Sequence, residues 1–313
     1  MQSAFVFPGQ GSQSIGMLAD LAASFPIVEQ TFAEASAVLG YDLWQLVQNG
    51  PESDLNQTDK TQPAMLAAGI AVWRVWQAEN SFQPTFLAGH SLGEYSALVA
   101  AGAIDFQDAI KLVAKRGELM QEAVPAGEGA MAAILGLEDA QVIDLCKQAS
   151  IHGVVEAVNF NSPGQVVIAG AATAVNQAID LASAAGAKRA LLLPVSVPSH
   201  CALMQPAAEK LALELAAIDV KAPTTPVIHN ASVTSTTDVN EIRSLLAKQL
   251  FSPVRWVESV AYLAEQGVDT LVECGPGKVL AGLAKRIDKN LNAQPLFDVA
   301  SLEKTKQLAG ESA

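Results

Sequence analysis

The sequence predicts an α/β protein with a mostly parallel sheet and a second, smaller unit inserted into the larger one. Short apolar segments alternate with helical patterns toward both ends of the chain, which is typical of a parallel sheet. The middle of the chain has a different order of strands and helices. Half of the 313 residues are hydrophobic and 16% are charged, which is enough apolar surface for a sizeable core. We therefore predict a discontinuous large domain, residues 1–124 and 197–313, and a small domain, residues 125–196.

The large domain opens with a short apolar run at residues 3–7 that ends in a Gly-rich turn at residues 8–13, a pattern that predicts a buried strand. Helices and further short strands follow in alternation. The helices are predicted at 64–78 with Pro63 in the first turn, at 92–101, at 105–123 and at 278–287, and the strands at 85–88 and 270–273. Residues after Ser301 are polar, and we expect them to be frayed.

The middle of the chain predicts the order βαββαβ. The strands are predicted at 130–136, 154–159, 165–169 and 188–193, the helices at 138–149 and 173–184, and a turn at 161–164. This order is that of a ferredoxin-like unit. Pro125 and Gly127 open the segment, and Pro194 and Pro198 close it. Since insertions are tolerated at exposed loop tips, we predict that this unit is inserted into the large domain.

Charge and composition exclude several classes of protein. Nineteen Lys and Arg residues against 32 Asp and Glu give a formal charge of −13, which repels phosphate backbones and argues against nucleic-acid binding. No apolar run approaches the ~20 residues that span a bilayer, and no basic residue precedes Lys60, so we expect neither a membrane protein nor a leader peptide. The three cysteines form no CxxC pair. We expect a reduced, cytoplasmic protein without a metal site.

A G-x-S-x-G motif at residues 89–93 follows a predicted strand and precedes a predicted helix, which is the context that a serine nucleophile needs. The flanking glycines permit a sharp turn from which the Ser91 hydroxyl projects. The Leu92 N–H at the start of the helix is then free to stabilise an oxyanion. A Gly-rich connection with a capping serine is the alternative, and the strand–turn–helix context favours the nucleophile.

A serine hydroxyl needs a base near neutral pH, and the chain has four histidines. His90 lies within the motif and is expected to point to the other side of the turn. His152 lies in a loop of the small domain. His200, where the chain re-enters the large domain, and His229, at the end of a predicted strand, remain the candidates. Each histidine taken alone is more often structural than catalytic.

Three other features are weaker. Gln10 lies in a Gly-Gln-Gly loop after the first strand, at the sheet edge where sites of open α/β folds gather, although an ordinary turn is the alternative. Arg116 taken alone indicates a solvent-exposed helix charge. The segment at residues 275–278 (Gly-Pro-Gly-Lys) is similar to a phosphate loop, but it lacks the required glycine spacing and the Ser or Thr after the lysine.

Taken together, several segments resemble the malonyl-CoA:acyl carrier protein transacylases. These are the stand-alone bacterial enzymes of type II fatty acid synthesis, related to the acyltransferase domains of polyketide synthases. The segments are residues 7–13 (Phe-Pro-Gly-Gln-Gly-Ser-Gln), 89–94 (Gly-His-Ser-Leu-Gly-Glu), 161–165 (Asn-Ser-Pro-Gly-Gln), 198–200 (Pro-Ser-His) and 273–277 (Glu-Cys-Gly-Pro-Gly). The resemblance covers nearly the whole chain. It implies a hydrolase-like α/β large domain with a ferredoxin-like insert, in agreement with the predicted order of elements.

The resemblance also implies catalytic roles. Ser91 would be the nucleophile and His200 its base, with the backbone carbonyl of Gln249 orienting the histidine. Gln10 and the Leu92 N–H would form the oxyanion hole. A neutral carbonyl fixes the histidine tautomer but stabilises an imidazolium less than the carboxylate of a hydrolase would.

Arg116 would bind the malonyl carboxylate, and this role replaces the interpretation as an exposed charge. A guanidinium suits it because its planar fork pairs bidentately with a carboxylate and stays charged. Ser199, before the histidine, departs from the pattern, because serine there accompanies methylmalonyl in modular acyltransferases. Stand-alone enzymes commonly have serine here and still use malonyl, so we expect malonyl.

The implied substrates are malonyl-CoA and the phosphopantetheine thiol of acyl carrier protein, in a ping-pong reaction that needs no metal or other cofactor. We expect a monomer. Acyl carrier proteins are acidic, so docking would need a local basic patch, for which Lys188–Arg189 and Lys285–Arg286 with Lys289 are candidates. The alternatives are a serine hydrolase on the same turn, a catalytically inactive docking subunit, and one domain of a larger synthase, against which the Met1 start and the length argue.

Overall fold

The computed structural model describes residues 2–80, 82–195 and 197–310 of the chain. Within these residues the helices are α1 (Ala19–Ser24), α2 (Ile27–Leu39), α3 (Leu43–Asn49), α4 (Glu52–Leu55), α5 (Thr58–Glu79), α6 (Gly93–Ala100), α7 (Phe106–Ala123), α8 (Asp139–Ala149), α9 (Ala172–Ala184), α10 (Gln205–Ala217), α11 (Val239–Gln249), α12 (Trp256–Glu265), α13 (Val279–Ile287) and α14 (Val299–Gly310). The strands are β1 (Ser3–Phe7), β2 (Phe86–Gly89), β3 (Gly129–Leu135), β4 (Val155–Ser162), β5 (Gln165–Ala171), β6 (Arg189–Leu192), β7 (Val227–Ile228), β8 (Thr270–Cys274) and β9 (Asn292–Leu296).

The larger sheet has five parallel strands in the order β7-β2-β1-β8-β9. Side chains of the central strand β1 alternate between two cores. Phe5 and Phe7 pack into the larger core, to which α5 contributes, and Ala4 and Val6 pack into a smaller core with α12 and α13. Coverage of both faces is what a parallel sheet requires. Because the strands are parallel, the loops after β1, β2 and β8 meet at one edge of the sheet.

The smaller sheet is antiparallel, with the order β4-β5-β3-β6. Its chain order, β3-α8-β4-β5-α9-β6, confirms the predicted ferredoxin-like arrangement. One face packs against α8 and α9, and the other carries Met131 and Val167 together with Cys201. Two backbone hydrogen bonds, Val254 N–H to Val158 O and Phe160 N–H to Val254 O, tether β4 to the chain before α12. The domain boundaries at 124/125 and 196/197 stay predictions, and Ser196 lies outside the described residues.

Helix α5 begins at Thr58 rather than at residue 64, so Pro63 lies inside the helix. The additional turn is held by α7. The Asp59 N–H donates to Gln121 Oε1 at 3.0 Å, and Gly117 lets the two helices touch, since a Cβ at Gly117 would lie 2.6 Å from Asp59 Cα. Tertiary packing thus outweighs the helix-breaking tendency of the proline.

The expectation of a frayed C-terminus is wrong. Residues after Ser301 continue α14 to Gly310, with Leu302, Thr305 and Ala309 buried along one side of the helix. The spacing of these three residues is that of a helix face, which the polar residues between them obscure. Residues 311–313 lie outside the described part.

None of the helices in the described residues is long and apolar enough to cross a membrane.

Candidate active site

Ser91 lies at the turn between β2 and α6, in a left-handed backbone conformation with φ of +51°. Two glycines make this turn possible because the backbones touch around it. A Cβ at Gly89 would lie 1.9 Å from the carbonyl carbon of Gly93, and a Cβ at Gly93 would lie 2.0 Å from the Phe7 oxygen at the end of β1. The G-x-S-x-G spacing therefore follows from backbone contact, and it lifts Ser91 above the carboxyl ends of β1 and β2.

His200 is the histidine that contacts Ser91. Its Nε2 lies 2.7 Å from Ser91 Oγ, and its Nδ1 lies 2.8 Å from the Gln249 backbone oxygen. Because a carbonyl only accepts, Nδ1 carries the proton and Nε2 is left to accept the hydrogen bond of the serine hydroxyl. This arrangement supports the proton transfer that the implied roles of Ser91, His200 and Gln249 require.

Burial keeps His200 neutral. The side chain is buried, and this burial, followed by the nearby Arg116 cation, lowers the pKa of His200 to about 3. A neutral imidazole at physiological pH is the form that can accept a proton.

Arg116 is fully buried, contrary to the exposed charge that spacing alone indicates. Its guanidinium donates to two amide oxygens, Gln62 Oε1 at 2.8 Å and Gln249 Oε1 at 3.0 Å, and lies 3.5 Å from Ser91 Oγ. The Tyr95 ring lies 5.4 Å away. In the described part of the chain no carboxylate forms an ion pair with Arg116, so its charge is available to an anionic ligand beside the serine.

Gln10 and Leu92 line the same cavity as Ser91. The Gln10 side chain makes only a long contact, 3.4 Å from its Nε2 to Thr58 Oγ1. Among the described residues, neither the Gln10 N–H nor the Leu92 N–H donates a hydrogen bond. Both are therefore free for an oxyanion, and their assignment to the oxyanion hole stays a prediction.

The cavity beside Ser91 has a volume of about 290 Å³ and lies between the two sheets. The large sheet contributes the Ser91 turn, the Gln10 loop and α13, and the small sheet contributes its face away from α8 and α9. Side chains on the small-sheet wall are Met131, Ala133, Asn159, Asn161, Gln165 and Val167. Ser91 therefore lies where the two sheets face each other across the cavity.

Two of the other histidines have partners of their own. His229, the alternative base, is buried and its Nδ1 lies 2.7 Å from Glu94 Oε1. His90 Nε2 lies 2.8 Å from Asn161 Oδ1, on the side of the turn toward the small sheet. His152 ends a short turn after α8.

Sequence reasoning missed three residues of this site. Gln62 accepts a hydrogen bond from the Arg116 guanidinium. In the sequence it is marked only as a polar residue within a mostly apolar helix. Asn230 accepts the Ser91 N–H at 2.7 Å through Oδ1, and Glu94 lies inside the quoted motif without an assigned role. No group of three His, Cys, Asp or Glu side chains in the described ranges is arranged to hold a metal.

Comparison with known proteins gives consistent matches. The acyl transferase domain family matches residues 4–307. The malonyl CoA-acyl carrier protein transacylase of Escherichia coli K12 is 60% identical over 98% of this chain and 99% of its own, and that of Bacillus subtilis 168 is 48% identical over 96% and 95%. Among solved structures, the transacylase of Coxiella burnetii gives a TM-score of 0.97 at 52% identity, covering 98% and 97%. A malonyl-transacylase in complex with a type II PKS acyl-carrier protein gives 0.97 at 58%, covering 98% and 99%.

Proposed function

The chain belongs to the acyl transferase domain family, and we propose that it moves a malonyl group from malonyl-CoA to the phosphopantetheine thiol of acyl carrier protein. The observation that carries this proposal is the Arg116 guanidinium, buried 3.5 Å from Ser91 Oγ without a carboxylate partner among the described residues. An acyl group with a terminal carboxylate would supply that partner. The relatives named for this reaction support the same substrates, and the product would supply fatty acid synthesis.

In the first half-reaction Ser91 Oγ attacks the malonyl thioester carbon. The hydroxyl proton passes to His200 Nε2, the Oγ–C bond forms and the C–S bond breaks, and the proton is then delivered to the departing CoA thiolate. The Gln249 carbonyl keeps Nδ1 protonated, so Nε2 is the atom that accepts. The Leu92 N–H and the Gln10 N–H would stabilise the oxyanion.

In the second half-reaction the phosphopantetheine thiol attacks the malonyl ester of Ser91. Its proton passes to His200, the new S–C bond forms, the Oγ–C bond breaks, and Ser91 recovers the proton. One thioester replaces another, so the exchange is nearly isoenergetic, and we propose that it needs no metal or other cofactor. Since all these side chains come from one chain, we propose that the monomer is active.

We propose that the carrier protein docks at the cavity mouth. Lys188 and Arg189 are exposed at the start of β6, and Lys285 and Arg286 are exposed at the end of α13. Arg286 also donates to Gln165 Oε1 at 2.7 Å, beside the cavity. Lys188 and Arg189 adjoin the small sheet, and Lys285 and Arg286 lie on a helix that packs against the large sheet, so an acidic partner could meet cations from both.

The first experiment is the intact mass of the protein after brief mixing with malonyl-CoA, and separately with acetyl-CoA, without an acceptor, followed by peptide mapping. We expect a stable malonyl ester on Ser91 and a weak or absent acetyl ester. Rapid CoA release without an adduct would make water the acceptor and would replace the proposal with a serine hydrolase. A Ser91→Ala protein with unchanged transfer activity would contradict the assignment of the nucleophile.

A further inference from the structure

Glu94 is a buried carboxylate on the first turn of α6 that the proposed reaction does not use. It is 0% exposed, and three donors bind it. His229 Nδ1 lies 2.7 Å from Oε1, and the Asn230 N–H and Gln249 Nε2 lie 3.0 Å and 2.7 Å from Oε2. No Lys or Arg of the described ranges pairs with it. A carboxylate, which only accepts, matches three donors.

Two of these donors also hold the backbone of Ser91. Asn230 Oδ1 accepts the Ser91 N–H at 2.7 Å, and Gln249 Nε2 donates to the Ser91 oxygen at 3.0 Å. A non-glycine residue in the left-handed region costs on the order of 1–3 kcal/mol and persists only where its surroundings hold it. The N–H and the carbonyl oxygen of the strained serine are thus both hydrogen-bonded, and the two residues that bind them are themselves bound to Glu94 Oε2.

Gln249 extends this arrangement to Arg116. Its Nε2 faces two acceptors, Glu94 and the Ser91 oxygen, so its Oε1 faces the Arg116 guanidinium at 3.0 Å. The amide therefore lies between a buried anion and a buried cation in the one orientation that satisfies both. Glu94 balances the charge of Arg116 through the amide and leaves the guanidinium edge beside Ser91 open for a substrate carboxylate.

We propose that Glu94 is a positioning residue for acyl transfer, because it fixes Asn230 and Gln249, which together set the Ser91 backbone and the Arg116 guanidinium. Its effect on Arg116 rests on the proposed function. Its effect on the reactivity of Ser91 does not, since any reagent that reacts with the serine depends on the same geometry.

The test is Glu94→Gln. The glutamine carbonyl can still accept from Asn230 and Gln249, while its NH₂ can face His229 Nδ1 once that imidazole changes tautomer. The variant can therefore fold, but it replaces charge-assisted hydrogen bonds with neutral ones of about half the strength. We expect the rate constant of Ser91 acylation by saturating malonyl-CoA to fall roughly 10- to 100-fold per active site. The KM for malonyl-CoA is expected to rise as well, because Gln249 then holds the Arg116 guanidinium less firmly.

Active sites are counted from the plateau of labelling by a fluorophosphonate, and the rate of that labelling is expected to fall in parallel. A merely structural role would lower the plateau or the melting temperature and leave the rate per active site unchanged. Glu94→Asp, which keeps the charge but shortens its reach, is the second variant and is expected to be slow as well. Wild-type rates per active site in both variants would overturn the proposal.

The matched control is Glu273→Gln, which replaces another buried carboxyl. Its Oε2 accepts the Ala281 N–H at 2.8 Å, and its hydrogen bonds among the described residues go to the start of α13 rather than to the Ser91 turn. We expect its labelling rate to equal that of wild type. If wild-type protein forms no malonyl ester but its Ser91 still reacts with the fluorophosphonate, the proposed function fails while the role of Glu94 remains testable by labelling alone.

Discussion

Arg116 is a buried cation whose hydrogen-bond partners, Gln62 and Gln249, are neutral amides. A buried guanidinium that no carboxylate contacts is costly, even when Glu94 balances its charge across the Gln249 amide, and such a cost is retained where the charge has a ligand to bind. A hydrolase of neutral acyl groups would have no use for this arrangement. Arg116 therefore distinguishes a malonyl transferase from a serine hydrolase better than Ser91 and His200 do, because transferases and hydrolases share the serine and the histidine.

Arg116→Ala is expected to reduce kcat/KM for malonyl-CoA at least ~30-fold more than for acetyl-CoA, because removal of one partner from a buried charge pair costs about 2–5 kcal/mol. The measurement is single-turnover acylation of Ser91 with each thioester. Arg116→Lys keeps the charge but loses the planar fork. Its preference for malonyl-CoA over acetyl-CoA is expected to lie between that of Arg116→Ala and that of the wild type. Equal losses with the two thioesters would make Arg116 a structural residue.

The pKa of His200 is lowered to about 3, which predicts that the pH profile of acylation falls at a lower pH than is usual for a histidine base. The base must be unprotonated to accept the Ser91 proton. For an ordinary histidine of pKa ~6.5, the fraction of molecules with a neutral imidazole would fall about 30-fold at pH 5. We expect kcat/KM for acylation, which reports the free enzyme, to stay within about threefold between pH 7 and pH 5. A tenfold fall per pH unit starting near pH 6.5 would contradict this assignment.

The same burial has a consequence for stability that the pH experiment must control. The unfolded chain protonates His200 below its ordinary pKa, whereas the folded chain does so only near pH 3. The contribution of His200 to the free energy of unfolding is therefore fully present above pH ~6.5 and is lost progressively as the pH falls toward the folded pKa. Circular dichroism at pH 5 establishes that the rates belong to folded protein.

At the scale of elements, the turn between β2 and α6 depends on backbone contact at Gly93. The contact with the Phe7 oxygen, 2.0 Å from a Cβ at this position, involves main chain on both sides and cannot be relieved by a change of rotamer. The helix must therefore move away from β1 if Gly93 gains a side chain, and Ser91 would move with it.

We expect Gly93→Ala to lower the free energy of unfolding by about 3 kcal/mol or more and to abolish acylation. Gly282→Ala is the matched control, because Gly282 lies in α13 and a Cβ there meets nothing within 4 Å. Because alanine has a higher helix propensity than glycine, Gly282→Ala should raise the free energy of unfolding by up to ~1 kcal/mol, or the melting temperature by about 2–4 °C. Thermal melts of both variants are the measurement, and a shift of the two in the same direction would contradict the backbone-contact argument.

Elements with strong local signals could be predicted from the sequence, and residues held by distant contacts could not. The strands before the Gly-rich turns, the Ser91 turn and the βαββαβ order follow from short-range pattern. Asn230 and Gln62 contact partners 139 and 54 residues away, so no local pattern marks them. His200 could be separated from His229 only through the resemblance, since the hydrogen bond to Ser91 depends on the packing of the two chain segments. The first turn of α5 depends on contacts with α7, so the local sequence does not predict it.

At the scale of the whole molecule, the net charge opposes the proposed partner. The formal charge is −13, and an acidic carrier protein approaching such a molecule is repelled at long range. Within about a Debye length of ~8 Å at physiological salt, only the local cations count. The exposed cations at the start of β6 and at the end of α13 form two local clusters, so encounter is expected to depend on them rather than on net charge.

Reversal of these charges should therefore act on the carrier protein alone. Lys188→Glu with Arg189→Glu, or Lys285→Glu with Lys289→Glu, is expected to raise the KM for carrier protein roughly 10-fold or more while the KM for malonyl-CoA stays within about twofold. Arg286 is kept because its hydrogen bond to Gln165 reaches the cavity wall. Lys111→Glu with Lys147→Glu, on α7 and on the side of α8 away from the cavity, makes the same change in net charge. If the Lys111 and Lys147 control raises the KM for carrier protein equally, the effect is due to net charge. If reversal of Lys188 with Arg189, or of Lys285 with Lys289, has no effect, that pair is not part of the docking surface.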